Sequence, residues 1–255
     1  MRTAIVIPAR FASQRLPGKP LLRSTGKYLI QHVYEQALRV KSATIVIVAT
    51  DDTRIFSAVE SFGGRAMMTR ADHVSGTDRI AEVAETLDVD TVVNLQGDEP
   101  LFDAAGLDLV AKLLMDDPDA EVATLMTPIR DAETYFSPNC VKVVADDRGR
   151  ALYFSRSPIP MVRDGTPNFH ATPPQFFLHL GVYAYRRETL LKLSKTPPHP
   201  LELSEKLEQL RVLGHGGIIR IGILPTAHRG VDTPADYDAF IEAYRRERSN
   251  PVSES

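Results

Sequence analysis

The chain has 255 residues, enough for one large domain or for one domain with a sizeable insertion. Hydrophobic residues make up 43% and charged residues 25%, which is ordinary for a globular protein. The formal net charge of −3 argues against a nucleic-acid partner, because a polyanion usually requires a basic surface. The single cysteine, Cys140, excludes an internal disulfide, and no apolar run approaches the ~18 residues of a membrane span. We therefore expect a cytoplasmic protein with no nucleic-acid or membrane partner.

The first half of the chain alternates apolar strands with amphipathic helices. Strands that are apolar on both faces and alternate with helices are typical of a parallel sheet between helix layers. The sequence therefore predicts an α/β fold of the Rossmann-like kind with a mostly parallel sheet. The predicted strands are 3–8, 43–50 and 91–95, and the predicted helices are 29–40, 53–62 and 104–115.

The pattern changes after about residue 120, where short strands are separated by turns and prolines. This texture indicates an inserted region of mixed or antiparallel strands. Segment 163–177 has three prolines and no periodicity, which predicts a mobile loop. Two helices, 201–213 and 235–248, are predicted toward the end of the chain. The predicted strands of this region are 122–127, 141–145, 151–154 and 180–185.

Charged residues follow the predicted strands at the edge where open parallel sheets bind ligands. Arg10, Arg15 and Lys19 follow the first strand, in a loop that has neither a dinucleotide fingerprint nor a Walker motif. Three cations in one strand-to-helix loop, with Gly18 allowing close backbone approach, favour a phosphate site. The alternative is three solvated surface charges.

Two acidic residues in distant loops are candidates for binding a metal ion. Asp98 follows the strand 91–95, and Asp232 precedes a predicted helix cap formed by Thr233 with support from Asp236. The cap gives Asp232 no structural role. Two carboxylates with phosphate oxygens and water suit Mg²⁺, although unrelated loop acids remain the alternative.

Three further polar groups have both a functional and a structural interpretation. The loop 69–79 contains His73, Ser75 and Thr77, which could contact a base or ribose or could simply precede a helix capped at Thr77 or Asp78. A second group combines Ser155 and Arg156 with His179 and Tyr183. The third is Glu202, Glu205 and Glu208, whose spacing places them on one helix face that is usually just solvated.

Eight ordered blocks of the chain together resemble the 3-deoxy-manno-octulosonate cytidylyltransferase (CMP-Kdo synthetase) family. The resemblance covers nearly the whole chain, and eight blocks in order are more specific than any single motif. The blocks are IPARFASQRLPGKPL, TRADHVSGTDR, NLQGDEPL, PNCVKVV, ALYFSRSPIP, HLGVYAYR, LEQLRVL and GVDTPADY.

The resemblance implies one cytidylyltransferase domain over 1–255, with a nucleotide-binding part at about 1–120 and 214–248. An insertion at about 121–213 would bind the sugar and form a homodimer. CTP and an acidic sugar of the Kdo type would be the substrates, Mg²⁺ the cofactor, and lipopolysaccharide biosynthesis the pathway.

The resemblance also implies roles for individual residues. Arg10, Arg15 and Lys19 would hold the CTP phosphates, and Lys19, Asp98 and Asp232 would be catalytic, with the two aspartates as Mg²⁺ ligands. The cytidine side would involve Arg70, Ser75 and Asp78. The sugar acid would be bound by Gln96, Arg156, His179, Tyr183 and Glu208.

The implied reaction is attack of the sugar's anomeric 2-hydroxyl on the α-phosphorus of CTP, with loss of pyrophosphate. Catalysis would consist of positioning and charge stabilisation, and no residue is assigned as general base. Two alternatives remain at this point: the same reaction on 8-amino Kdo or a nonulosonate, and a catalytically idle nucleotide-binding protein.

Overall fold

The computed structural model describes residues 1–12, 15–226 and 230–249. Within these residues the chain forms two compact units. The first unit contains 4–12, 15–88, 94–105 and 230–249, and the second contains 1–3, 89–93 and 106–226. No helix of the described part combines the length and apolarity that a membrane crossing requires.

The first unit is built from buried strands and amphipathic helices. β2 and β3 are parallel, with Val48 opposite Ala66, and the hydrogen-bonded order of the strands is β3-β2-β1. α1 buries Leu29, Ile30 and Val33 at helical spacing. The elements are β1 (Thr3–Ala9), a 3₁₀ turn (Lys19–Leu21), α1 (Leu29–Leu38), β2 (Ala43–Thr50), α2 (Thr53–Ser61), β3 (Ala66–Met68), α3 (Gly76–Glu85) and, at the end, α9 (Pro234–Ser249).

The second unit contains the mixed strands. β5 pairs in parallel with β9 and antiparallel with β8, and β6 pairs antiparallel with β7 and β8. The parallel partners β5 and β9 are joined by a long connection, whereas the short turn 146–150 joins the antiparallel strands β6 and β7. The elements are β4 (Thr91–Asn94), which ends with Asn94 of the first unit, α4 (Ala104–Asp116), which begins with residues 104–105 of the first unit, β5 (Val122–Pro128), α5 (Ala132–Phe136), β6 (Lys142–Ala145), β7 (Ala151–Ser155), β8 (Phe177–Arg186), α6 (Arg187–Leu193), α7 (Pro200–Glu205), α8 (Gln209–Gly214) and β9 (Ile219–Ile223).

The predicted α/β fold, with a mostly parallel sheet flanked by helices and a region of mixed strands, is confirmed. The predicted boundaries of one catalytic domain with an insertion at about 121–213 stay a prediction.

The prediction of one helix over 201–213 is wrong. α7 ends at Glu205 and α8 begins at Gln209, and Lys206 between them has φ 55° in the left-handed region. A left-handed residue ends the α-helical hydrogen-bond ladder, so Glu202 and Glu208 lie on different elements. The three glutamates therefore share no common helix face.

The segment predicted as a mobile loop is packed through its aromatic residues. No helix or strand covers 163–176, and β8 begins at Phe177, three residues before the predicted start of that strand at 180. Phe169 and Phe176 pack against Tyr135 with ring centroids 5.6 and 4.7 Å away. Aromatic contacts of this kind tie the segment to the second unit.

Candidate active site

A basic loop follows β1 in the first unit and brings Lys19 to two carboxylates. Gly18 has φ 67°, and this left-handed conformation, which costs glycine little, turns the chain into the 3₁₀ helix that begins with Lys19. The Lys19 ammonium donates to Asp98 Oδ2 at 2.6 Å and to Asp232 Oδ1 at 3.3 Å, and its side chain is only 12% exposed. Arg15 Nη2 lies 3.0 Å from the same Asp232 oxygen.

The loops carrying Asp98 and Asp232 are fixed to each other by their backbones. Val231 N–H donates to the Asp98 carbonyl at 2.8 Å. Asp236 accepts from the backbone N–H of Thr233 and from its hydroxyl, and Thr233 in turn accepts from Asp236 N–H. The predicted cap is confirmed, and the Asp232 side chain has the partners Lys19 and Arg15 instead of a capping role.

Gly97 permits the close approach of this loop to β1. A Cβ atom at residue 97 would lie 2.8 Å from the Pro8 carbonyl oxygen, closer than real side chains pack. Asp98 therefore follows a position at which only glycine fits without moving the strand.

Glu99 was missed by the sequence reasoning and adds a third acid to this cluster. Burial, and then the charges of Asp98 and Asp232, raise the pKa of Glu99 to about 8, while Lys19 acts in the opposite direction. The Glu99 carboxyl is therefore mostly neutral at neutral pH.

The donor set of this cluster fits a hydrated magnesium ion. In the described parts of the chain, no three His, Cys, Asp or Glu side chains converge to hold a metal by themselves. Asp98 and Asp232, which converge on one cation, provide the couple of carboxylates that Mg²⁺ uses when substrate phosphates and water complete its octahedron.

A cavity of about 460 Å³ lies at this edge of the first unit. Residues of the basic loop and both carboxylates line it, so a polyanion bound in it would contact cationic and acidic side chains together. Its lining includes Arg10, Arg15, Lys19, Gln96, Asp98 and Asp232.

The loop after β3 is held by Arg10 and by a helix cap. Arg10 Nη2 donates to the carbonyls of His73 and Ser75 at 2.8 and 2.9 Å. Ser75 and Asp78 form a reciprocal capping box, with Asp78 N–H donating to Ser75 Oγ at 3.1 Å. The predicted helix start at Thr77 or Asp78 is therefore wrong, because the cap is Ser75. Arg70 of the same loop is largely exposed.

The second unit contains the other predicted group. His179 Nε2 and Thr124 Oγ1 are 2.9 Å apart, and the His179 ring lies 5.4 Å from that of Tyr183. Burial lowers the pKa of His179 to about 3, so the imidazole is neutral at neutral pH. Burial, followed by the neighbouring Tyr185 and the charge of Glu208, raises the pKa of the Tyr183 phenol well above its ordinary value.

Arg156 follows β7 and is held by an acid that received no role in the sequence analysis. Glu205 accepts from Arg156 N–H at 2.9 Å and from Ser155 Oγ at 2.6 Å, and its carbonyl accepts from Arg156 Nε at 2.8 Å. The spacing of Glu205 three residues after Glu202 did not indicate this role. The turn at Lys206, which places Glu205 beside Arg156, was not predicted.

The fold, the basic strand-end loop and the facing carboxylates define a nucleotidyltransferase. A family model described as Cytidylyltransferase matches residues 4–221. The chain belongs to the 3-deoxy-manno-octulosonate cytidylyltransferase family.

Two curated relatives carry that family's name over nearly their whole length. The enzyme of Syntrophobacter fumaroxidans is 50% identical over 94% of this chain and 96% of its own. The enzyme of Geobacter sulfurreducens is 47% identical over 95% of this chain and 99% of its own.

Solved structures agree with this assignment. CMP:2-keto-3-deoxy-manno-octonic acid synthetase, solved in complex with CTP, is 46% identical, with a TM-score of 0.90 over 97% of this chain and 100% of its own. A cytidylyltransferase from Leptospira borgpetersenii is 18% identical, with a TM-score of 0.61 over 98% and 95% of the two chains, and shares the fold alone.

Proposed function

We propose that the chain transfers CMP from CTP to the anomeric 2-hydroxyl of 3-deoxy-D-manno-octulosonate (Kdo), giving CMP-Kdo and pyrophosphate. The observation that carries the proposal is the cluster in which Lys19 contacts both Asp98 and Asp232. It occurs in a chain about half identical, over nearly full length, to relatives named for this reaction.

The phosphates of CTP would be held by Arg15 and Lys19. Arg15 is 65% exposed beside Asp232, so its guanidinium can turn to a phosphate without losing a buried contact. Lys19 is nearly buried and already lies where negative charge collects. Arg10 would bind phosphate while holding the loop that contains Arg70, Ser75 and Asp78, the proposed cytidine side.

Asp98 and Asp232 would hold Mg²⁺. When bound, the ion supplies positive charge for phosphate oxygens and lowers the pKa of a bound hydroxyl. Lys19 would then have phosphate oxygens as well as carboxylates within reach, and would stabilise the charge that develops as pyrophosphate leaves.

The sugar acid would be bound by Gln96, Arg156, His179, Tyr183 and Glu208. Arg156 suits the sugar carboxylate, because its planar guanidinium presents paired N–H groups. Neutral His179 and the protonated Tyr183 phenol suit sugar hydroxyls, because each can donate or accept a hydrogen bond without bringing charge.

The cellular setting follows from the same reaction. We propose that the chain acts in the cytoplasm as a homodimer, and that its product supplies lipopolysaccharide biosynthesis. The insertion at about 121–213 would form the dimer contacts.

The test is pyrophosphate release from CTP and Mg²⁺ with Kdo, 8-amino Kdo, a nonulosonate or no sugar. We expect release with Kdo and its loss on adding EDTA. Release only with another sugar would overturn the substrate assignment, and activity that survives EDTA would overturn the Mg²⁺ assignment. If CTP binds while no sugar supports release, the chain is an idle nucleotide-binding protein instead.

A further inference from the structure

Lys142, the first residue of β6, has a fully buried ammonium group in the second unit. Its side chain is 0% exposed, and its ammonium donates hydrogen bonds to backbone carbonyls. Burying a lysine is expensive unless each donor finds an acceptor. An ammonium has three N–H donors, and Lys142 uses them on the carbonyls of Ser137, Cys140 and Arg156 at 2.7, 2.6 and 2.5 Å.

These carbonyls belong to two different segments. Ser137 and Cys140 lie in the loop between α5 and β6, whereas Arg156 lies just after β7. The ammonium therefore joins the loop before β6 to the backbone of Arg156. In the β6–β7 ladder Lys142 is opposite Ser155, which brings its side chain directly to this junction.

The Arg156 side chain depends on the same loop. Its Nη1 donates to the Pro138 carbonyl at 3.0 Å, and Pro138 lies between the two loop residues that Lys142 holds. Its Nε donates to the carbonyl of Glu205, the residue that also accepts from the Arg156 backbone. The guanidinium is thus fixed on one side by Lys142 through the loop and on the other by Glu205.

One edge of the Arg156 guanidinium is available to a ligand. Of its five N–H groups, Nε and one of Nη1 donate to carbonyls, and its Nη2 group makes no hydrogen bond within the described residues. Carbonyl partners orient the group without neutralising it, so its positive charge and its Nη1–Nη2 edge remain for a carboxylate.

We infer that Lys142 and Glu205 are positioning residues for the sugar acid, because they hold Arg156 in the orientation that receives the sugar carboxylate. The inference rests on the proposed function, since it needs Arg156 to contact the sugar. His179 is tied to the same strand start, because its N–H donates to the carbonyl of Val141 at 2.8 Å. Loss of Lys142 therefore affects the sugar side and leaves the cluster around Lys19 unchanged.

The first experiment compares steady-state kinetics of wild type and Lys142→Met in the pyrophosphate assay. Methionine keeps most of the length of the buried side chain and has none of its donors. We expect the KM for the sugar acid to rise by ~10- to 100-fold, the range for a displaced positioning group, with the KM for CTP unchanged. An unchanged sugar KM, or an equal rise in both KM values, would overturn the inference.

The matched control is Arg186→Met. Arg186 is also a cation held by carbonyls of this unit, with Nε 2.8 Å from Ala120 O and Nη2 2.9 Å from Leu114 O, and among the described residues its side chain makes no hydrogen bond to Arg156. We expect this variant to lower the melting temperature while the sugar KM stays at the wild-type value. A rise in its sugar KM equal to that of Lys142→Met would mean that general loosening explains both.

A double-mutant cycle separates positioning from a general structural role. In an Arg156→Ala background, Lys142→Met should raise the sugar KM by less than ~2-fold, because the group that it orients is gone. Additive effects would overturn the inference. If Lys142→Met does not fold, Glu205→Ala takes its place in the cycle, because it removes the carboxylate that accepts from Arg156 N–H and Ser155 Oγ, and Glu205 is only partly buried.

The proposed function is tested separately by the wild-type enzyme. Turnover of Kdo by wild type with an unchanged sugar KM in the variants overturns the positioning role alone. Absence of turnover with any sugar acid overturns the proposed function, and the positioning role falls with it.

Discussion

At the scale of single residues, a lysine lies between two acids that are far apart in sequence. Lys19 contacts both Asp98 and Asp232, and a cation between two carboxylates compensates their mutual repulsion. The arrangement keeps the two carboxylates near each other. Substrate phosphates would then compete with the two carboxylates for the Lys19 ammonium. Such competition suits a residue that must bind and release phosphate in each catalytic cycle.

The substitution Asp98→Asn tests whether the charge of this carboxylate is required. Asparagine keeps the size of the side chain but removes the charge that would bind Mg²⁺. We expect kcat to fall by at least ~100-fold, the loss typical of removing one charge-stabilising group, with the melting temperature nearly unchanged. Asp116→Asn, at an exposed acid that pairs with Lys112, is the control and should keep wild-type kcat. Near-normal turnover in Asp98→Asn would refute a metal-binding role.

At the scale of elements, several patterns with a local cause were predicted correctly, although the cap of α3 at Ser75 was predicted at Thr77 or Asp78. The cap before α9 is an example, because Thr233 and Asp236 satisfy each other's backbone within one turn. The break at Lys206 was not predicted, because lysine carries no signal for the left-handed region. The three-residue strand β3 was also missed, because its pairing with β2 is long-range.

The same distinction applies to the candidate site. The sequence placed Lys19, Asp98 and Asp232 at strand ends, and the structure brings them together. It gave no indication of the Lys142 and Glu205 contacts to Arg156, because most of their partners are backbone groups, which every residue type has.

The substitution Thr233→Ala tests the α9 cap, because it removes the Thr233 hydroxyl and with it both of the hydroxyl's hydrogen bonds to Asp236. We expect the free energy of unfolding to fall by ~1 kcal/mol and turnover to drop, because the neighbouring Asp232 loses its support. Urea unfolding and the pyrophosphate assay measure the two effects, and Thr233→Ser should restore both. Thr196→Ala, which removes a hydroxyl that donates to the Lys192 carbonyl, is the control for turnover. Full stability in Thr233→Ala would show that the cap contributes nothing.

At the scale of the whole molecule, buried neutral histidines make the fold sensitive to acid. His32 is 5% exposed, and its Nε2 is 2.7 Å from Thr25 Oγ1. Burial lowers its pKa from 6.5 to about 4, Glu35 acts in the opposite direction, and Lys27 lowers it further. The unfolded chain therefore binds a proton at higher pH than the folded chain, so stability is lost as the pH falls from 6.5 toward 4.

The predicted pH dependence can be measured by urea unfolding at about pH 7 and about pH 5. His32 should contribute a loss of up to ~1.4 kcal/mol per pH unit below its unfolded pKa. His32→Gln should remove that part of the slope, although it can lower stability at both pH values. His170→Gln, at an exposed histidine, should leave the slope unchanged. A slope in His32→Gln equal to that of wild type would contradict the assignment.

The contact between residue 97 and β1 also limits how this protein can evolve. Any side chain at residue 97 would clash with the carbonyl oxygen of Pro8. Because this oxygen belongs to the backbone, no substitution at residue 8 can remove it. Selection would therefore hold this position even in descendants that had abandoned catalysis, as long as they kept the fold. Invariance at Gly97 across a lineage therefore indicates that the fold is kept, whereas invariance at the adjacent Asp98 indicates that the chemistry is kept. Once activity was lost, residue 98 would vary while residue 97 stayed glycine.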